Sequence, residues 1–384
     1  MLSLPSLVFA ANAFVTPSAA YSPPEVASLP PVELACLTWG TSSCDADRWP
    51  RLHTTATNAK PEAPDSATAR AAGDDVRVDI KEWRTPTRAA HPHDPFVTSD
   101  GAIWYTGQMA NLLGRLDPRT GQFREYHLKT PDSGPHGLVA DANGAIWFTA
   151  SFKGYIGKLD PTTGDVREFK LPDPAARDPH TPVFDQKGNL WFTVIGGNML
   201  GRLDPAAGDI KLIPSPTAHS LPYGLLVNSK GVPFFAEFGS NKIALADPAT
   251  MKIKEFTLSN PDARPRRIAA TSDDAIWYTD YARGYLGRLD PKTSEVSEWP
   301  SPGGRDSGPY AIAVVDDVIW YVESVASPNM LTRFDPKSQT FERWPIPSGG
   351  GVVRNMAPTP DGGLALACSG VNAIALVDIA RRAQ

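Results

Sequence analysis

An all-β, seven-bladed propeller of four-stranded blades is the fold class that the sequence predicts, on three observations. An aromatic-rich motif recurs along the chain as Trp104-Tyr105-Thr106, Trp147-Phe148-Thr149, Trp191-Phe192-Thr193, Phe234-Phe235-Ala236, Trp277-Tyr278-Thr279 and Trp320-Tyr321-Val322, with a degenerate last copy at Leu364-Ala365-Leu366. Successive copies lie 43 or 44 residues apart, the length of one propeller blade. The two ends of the array are complementary. Residues 76–84 read as an outer strand with no blade of their own, and the last repeat lacks an outer strand.

Each repeat supplies four strands, A to D from the channel outward. A short apolar strand follows a Pro-X-Gly-like start, as in Pro135-His136-Gly137-Leu138-Val139, and a turn of Asp, Asn and Gly leads into the aromatic strand B. Strand C ends in Asp-Pro, as in Gly114-Arg115-Leu116-Asp117-Pro118, and a second turn opens strand D, as in Phe123-Arg124-Glu125-Tyr126. The Asp-Pro residues Asp117, Asp160, Asp204, Asp247, Asp290 and Asp335 read as turn formers. The last repeat gives A, B and a C strand ending at 372–379, so 76–84 completes blade 7 and closes the ring. Closure removes the sheet edges that would otherwise template aggregation. The large aromatics of strand B are expected to pack between blades.

Residues 76–384 form this propeller, and residues 1–75 are expected to be disordered. Positions 23–75 are rich in Pro, Ala, Ser and Thr without periodicity. The first 22 residues are mildly apolar and end in small residues, as a secretory leader does, but the first basic residue is Arg48. A periplasmic or secreted location is the expectation, with a cytoplasmic one as the alternative. Cys36 and Cys44 could pair after export, leaving Cys368 over. The net charge of −5, without a basic stripe, speaks against nucleic acid. No apolar run reaches membrane-span length. The expected partner is a small molecule bound by a monomer.

Because A and B are antiparallel, the start of A and the end of B share one rim, and the start of A is innermost. Its side chains are His93, His136, His180, Tyr223, Arg266, Tyr310 and Arg354. Five of the seven histidines (His91, His93, His136, His180 and His219) fall in D–A connections, whereas His53 and His127 read as surface residues. Neutral imidazoles on consecutive blades suit a metal site or an acid–base pair, and neighbouring arginines suit an anionic or carbonyl-bearing ligand. Solvated side chains lining a wet channel are the alternative. Strand B ends in Glu237, Asp280 and Glu323 on blades 4 to 6, either neutralised by Arg266 and its neighbours or free to hold a hard cation.

The Gly-Pro-His-Gly, Ile-Trp-Phe-Thr and Ile-Gly-Lys-Leu elements, with Glu-Phe-X-Leu-Pro between blades, resemble the virginiamycin B (streptogramin B) lyase family over residues 76–380. The resemblance implies a seven-bladed propeller that opens an ester-linked antibiotic ring by elimination, using Mg²⁺ with histidines and acids at the channel mouth. In the family, two successive blades near the C-terminus start Pro-His and Glu-Pro-His, and the second has a Glu at the end of B. This chain has Tyr310 and Arg354 there, with Ser324 and Cys368 at the strand ends. Gly134-Pro135-His136 followed by Asp178-Pro179-His180 presents a similar pair rotated around the ring, ahead of Pro222-Tyr223-Gly224. In that rotated reading His180 is the base or acid, His136 supports it and Asp178 binds the metal. Ile195 stands where the strand-end Glu would be, and Glu237 substitutes for it. His93, Tyr223, Arg266, Tyr310 and Arg354 are then substrate-binding residues. The expected function is a metal-assisted elimination on an ester or lactone-like small molecule. A non-catalytic binding propeller and a lactonase-type hydrolase are the alternatives.

Overall fold

The computed structural model describes residues 76–381, so the expectations for residues 1–75, including Cys36, Cys44 and His53, lie outside the described residues. These residues form seven four-stranded antiparallel sheets, each in the order A-B-C-D. The A strands are Pro92–Val97, Pro135–Ala140, Pro179–Phe184, Pro222–Val227, Pro265–Ala270, Pro309–Val315 and Val353–Pro358, numbered here as blades 1 to 7. Among the described residues helix is limited to three 3₁₀ turns, none long and apolar enough to cross a membrane.

Val76–Arg84 is the outer strand of blade 7. It pairs with the C strand Ala373–Arg381 along its whole length, from Val76↔Arg381 to Arg84↔Ala373. That C strand runs two residues past the expected end at 379. The seam is also packed. Ile103, Tyr105 and Leu116 of blade 1 share a core cluster with Ala365, Ala367 and Ile374 of blade 7.

The B-strand aromatics pack between blades. Trp104 of blade 1 lies with Leu138, Ile146 and Phe148 of blade 2, and Trp320 of blade 6 with Leu364 and Leu366 of blade 7. Ordered packing requires room for the second aromatic of each motif, and strand C supplies it. Tyr105, Phe148, Phe192 and Tyr278 pair with Gly114, Gly157, Gly201 and Gly287. A Cβ on Gly157 would come within 2.2 Å of the Phe148 ring. The glycine is required by contact with the ring, with no need of unusual dihedrals.

The turns follow the same economy. Asp141 and Asp185, in the A–B turns, each accept from the indole N–H six residues on, Trp147 and Trp191, at 2.9 Å. All six Asp-Pro carboxylates accept the backbone N–H two residues later, as in Thr162 N–H to Asp160 at 2.8 Å. They are Asx turns, as expected.

Candidate active site at the channel mouth

Every A strand carries a β-bulge at its start. Pairing with strand B breaks between Pro92 and Pro95, Pro135 and Leu138, Pro179 and Pro182, and at the equivalent positions of the other four blades. A bulge releases residues from the ladder and re-aims their side chains. Here it frees two residues per blade: His93-Asp94, His136-Gly137, His180-Thr181, Tyr223-Gly224, Arg266-Arg267, Tyr310-Ala311 and Arg354-Asn355.

In blades 1, 2, 3 and 5 a strand-B threonine, Thr106, Thr149, Thr193 or Thr279, fixes the bulge. Its Oγ1 accepts the N–H of the second bulge residue of its own blade, at 3.1 Å from Asp94 to Thr106 and 3.2 Å from Thr181 to Thr193. The same hydroxyl donates to the carbonyl of the first bulge residue of the next blade. Thr106 reaches His136 at 2.6 Å, Thr149 reaches His180 at 2.7 Å and Thr193 reaches Tyr223 at 2.8 Å. One threonine thus sets the backbone of two neighbouring channel-lining positions. The glycines allow close approach. A Cβ on Gly137 would lie 2.3 Å from Pro182 and 2.5 Å from the His180 carbonyl oxygen.

On this frame three histidines from consecutive blades converge. The His93 and His136 ring centroids are 3.6 Å apart, those of His136 and His180 3.7 Å, and those of His180 and Tyr223 4.0 Å. The three imidazoles are only 2–4% exposed, so they form a contiguous stack and do not stand as separate solvated groups around an open channel. His91 and His219 are exposed on the rim, and His127 is exposed on its outer strand.

Two arginines enter from blade 5. Arg267 crosses the channel to Asp94 of blade 1 at 2.8 Å and to Thr181 Oγ1 of blade 3 at 3.2 Å. The Arg266 guanidinium lies among four rings, 3.7 Å from the Tyr310 centroid, 4.4 Å from Tyr281, 4.9 Å from Phe238 and 5.0 Å from Tyr223. It also donates to the Tyr223 hydroxyl, which is hydrogen-bonded to the Tyr310 hydroxyl. Arg354 of blade 7 is half-buried at the equivalent bulge position, and its charge disfavours protonation of His93.

Electrostatics hold the stack neutral. Burial lowers the affinity of His93, His136 and His180 for a proton well below that of a free imidazole. Arg354, Arg267 and Arg266 add to this at His93, as do His136 and Arg267 at His180. The tautomers follow from the partners. The Asp94 carboxylate, 2.9 Å from His93 Nδ1, can only accept, so His93 carries its proton on Nδ1 and leaves Nε2 free. Thr181 Oγ1 is 2.8 Å from His180 Nδ1 and already accepts from Arg267. When the Thr181 hydroxyl donates to His180 Nδ1, the His180 proton sits on Nε2. His136 Nδ1 is buried without a hydrogen-bond partner among the described residues.

The strand-B acids do not join this cluster. Glu237 accepts from Ser215 at 2.5 Å and Ser240 at 3.2 Å, and its carboxyl is pushed up by burial. Asp280 is paired with Arg283 at 2.6 Å, and Glu323 with Arg343 at 2.6 Å. Their partners are local ones in D–A connections, in B–C loops and on an outer strand, because strand B lies one strand away from the channel. Asp178 is half-buried just before Pro179, at a φ of 60°, with its carboxyl pushed up to about 6 by burial and Ser151 acting the other way. Ser324 is buried at the rim and donates to the Val353 carbonyl, and Cys368 is a buried free thiol.

Among the described residues, one set of three or more metal-ligating side chains brings its donor atoms within 4.8 Å of one another: His93, Asp94 and His136. Asp178 and Glu237 are not members. Mg²⁺ requires near-octahedral oxygen ligation, whereas two imidazoles and one carboxylate are donors for a softer first-row ion. The Asp94 oxygen is moreover engaged by both Arg267 and His93. These residues do not fit Mg²⁺.

Asp94, Thr181 and Arg267 belong to the site without having been singled out from the sequence. Each is the second residue of a bulge, and reading one channel residue per A strand passes over it. The signal was a pair of consecutive polar residues after the opening proline, as in His93-Asp94, His180-Thr181 and Arg266-Arg267.

Fold and site together define a closed seven-bladed propeller with a buried imidazole–guanidinium cluster at one end of its channel. The sequence profile of the virginiamycin B lyase family matches residues 65–244 and 230–383, and the chain belongs to that family. Among solved structures, a streptogramin B lyase is 26% identical, with 79% of this chain and 98% of that chain covered and a TM-score of 0.72. The selenomethionine-substituted virginiamycin B lyase of Staphylococcus aureus is 24% identical, with 78% and 99% covered and a TM-score of 0.72. A catalytically inactive variant of the Staphylococcus aureus lyase with quinupristin is 23% identical, with 78% and 99% covered and a TM-score of 0.71. The comparison with curated proteins finds no match.

Proposed function

We propose that the protein is a carbon–oxygen lyase that opens an ester or lactone-like small molecule at the channel mouth. The observation that carries this reading is the stack of three buried imidazoles whose two outer members are held at Nδ1 by different partners, Asp94 and Thr181. His93, oriented by Asp94, presents a free Nε2 and serves as the base. His180, oriented by Thr181, presents Nε2–H and serves as the acid. His136 lies between them, 3.6 Å and 3.7 Å from their centroids. In an elimination the base takes a proton from the carbon next to the one bearing the ester oxygen. That electron pair forms the new C=C bond, and the C–O pair leaves with the oxygen as a carboxylate, which the acid can protonate. Once protonated, His93 is stabilised by Asp94, as an imidazolium is by its orienting carboxylate in other acid–base sites. Family membership supports the reaction class. The metal-assisted form of the expectation has no support from the donors that converge here, and no step requires it.

The test is incubation with quinupristin and with simple lactones, followed by mass and ultraviolet spectra of the product. Elimination leaves the mass unchanged and adds a conjugated double bond, whereas hydrolysis adds one water. His93→Ala and His180→Ala should each lower turnover by about 10²–10⁴-fold, with the circular dichroism spectrum retained. Unchanged turnover in both variants removes the acid–base assignment, and a hydrated product replaces the lyase reading with a hydrolase one.

A further inference from the structure

We infer that His93, Asp94 and His136 form a binding site for a late first-row transition ion such as Zn²⁺, and that this ion competes with the base of the imidazole stack. The site stands independently of the lyase reading, and only its consequence for turnover rests on that reading. One donor atom from each of the three side chains lies within 4.8 Å of the other two. Bonds of about 2.0–2.2 Å to Zn²⁺ span at most about 4.4 Å across the ion, so the side chains need to close by only a few tenths of an ångström. The three residues are 3–4% exposed. One hydroxyl holds both backbones that carry them: Thr106 Oγ1 accepts the Asp94 N–H at 3.1 Å and donates to the His136 carbonyl at 2.6 Å.

Two further observations point to a ligand. His136 Nδ1 is buried with no hydrogen-bond partner among the described residues, and a bare buried ring nitrogen is costly unless something outside the chain meets it. The contacts of Asp94 to His93 at 2.9 Å and to Arg267 at 2.8 Å both use Oδ1, which leaves its other oxygen for a ligand. Arg267 then serves as an outer partner that orients the carboxylate. The donors select the ion. Asp94 and Arg267 cancel in charge, so a cation is held here by its bonds to nitrogen more than by the local field. Such bonds favour the later members of the first row, and one carboxylate offers Mg²⁺ too few oxygens. Two histidines and a carboxylate are also the ligand set of zinc sites that keep an open position. An ion bound to His93 either occupies the lone pair of the base or displaces the Asp94 bond that orients it, so ion and base exclude each other.

Titration of the tag-free full-length protein after dialysis against EDTA tests the inference, with Zn²⁺, Co²⁺ and Mg²⁺ as separate titrants. Calorimetry follows all three, and visible absorption follows Co²⁺. Saturable Zn²⁺ binding is expected, with weaker Co²⁺ binding and no saturable Mg²⁺ binding. His136→Gln should weaken Zn²⁺ about 100-fold or more, since even an outer partner is worth about 10–100-fold, whereas His127→Ala on an outer strand should leave it unchanged. Should His136→Gln fail to fold, the ion preference of the unaltered chain decides. Absence of Zn²⁺ binding, Mg²⁺ binding as tight as Zn²⁺, or Zn²⁺ binding indifferent to His136→Gln overturns the inference. Zn²⁺ binding that depends on His136, without elimination by the metal-free protein, leaves the site standing and removes the lyase reading. Elimination by a protein that binds no Zn²⁺ does the reverse. Where both occur, Zn²⁺ should abolish turnover and EDTA should restore it, and turnover that persists with the site filled overturns the competition.

Discussion

Asp94 and Arg267, 173 residues apart in sequence, meet at 2.8 Å across the channel, each with about 4% of its side chain exposed. Asp94 also holds His93, and Arg267 also holds Thr181, which holds His180. One buried ion pair therefore orients both ends of the imidazole stack from opposite sides of the ring.

Breaking one partner of this pair leaves an uncompensated buried charge. Asp94→Asn or Arg267→Met alone should destabilise the fold by about 3–5 kcal/mol. The double variant should cost clearly less than the sum, because neither charge is left behind. Urea denaturation of the four proteins measures the coupling, and strictly additive losses would show that the two side chains do not depend on each other.

The glycines of strand C make a purely steric prediction. Gly157→Ala places a Cβ 2.2 Å from the rigid Phe148 ring and should cost about 1–3 kcal/mol through overpacking. Phe148→Leu in the same chain should recover part of that loss, since the smaller side chain vacates the space. Thermal unfolding checks both. A neutral Gly157→Ala would contradict the packing described between strands B and C.

Stability should fall on acidification from the mid-sixes downward. His93, His136 and His180 titrate well below the usual 6.5 when folded, whereas the unfolded chain takes up protons near that value. Below pH 6.5 the unfolded state binds more protons, so the folded state loses ground as pH drops and continues to do so through the folded-state values. Three such groups give a limiting slope of about 4 kcal/mol per pH unit. Asp178 acts oppositely. With its folded value raised to about 6 from a usual 3.8, the folded state binds the extra proton between those values, which offsets part of the loss there. Melting temperatures from pH 8 to pH 5 should decline below 6.5 and decline less steeply in His136→Gln. A flat profile would mean that the histidines are solvated.

How far the site could be read from the sequence depends on which periodicity carries each residue. The 43–44-residue repeat located the first channel residue of every blade, and His93, His136 and His180 do come together. The same reading grouped Glu237 with them on the shared rim, yet strand B lies outside strand A, and Glu237 turns to Ser215 and Ser240. Asp94 and Arg267 escaped notice because a strand's alternation predicts that the residue after a channel-facing one points away, and the bulge suspends that rule.

By itself, the sequence determined the blade count, the four strands of each blade, the closing role of 76–84 and the rim on which the histidines fall. All of these are local patterns repeated at a fixed spacing, with turn and packing residues that mean the same in every copy. Only the tertiary structure decided which side chains meet at the axis, which partner each outer histidine takes, and that Arg267 crosses to Asp94 there. The physical reason is closure. Ring formation brings blade 5 against blades 1 and 3 across a narrow channel, and no spacing along the chain encodes which residues face each other over that gap.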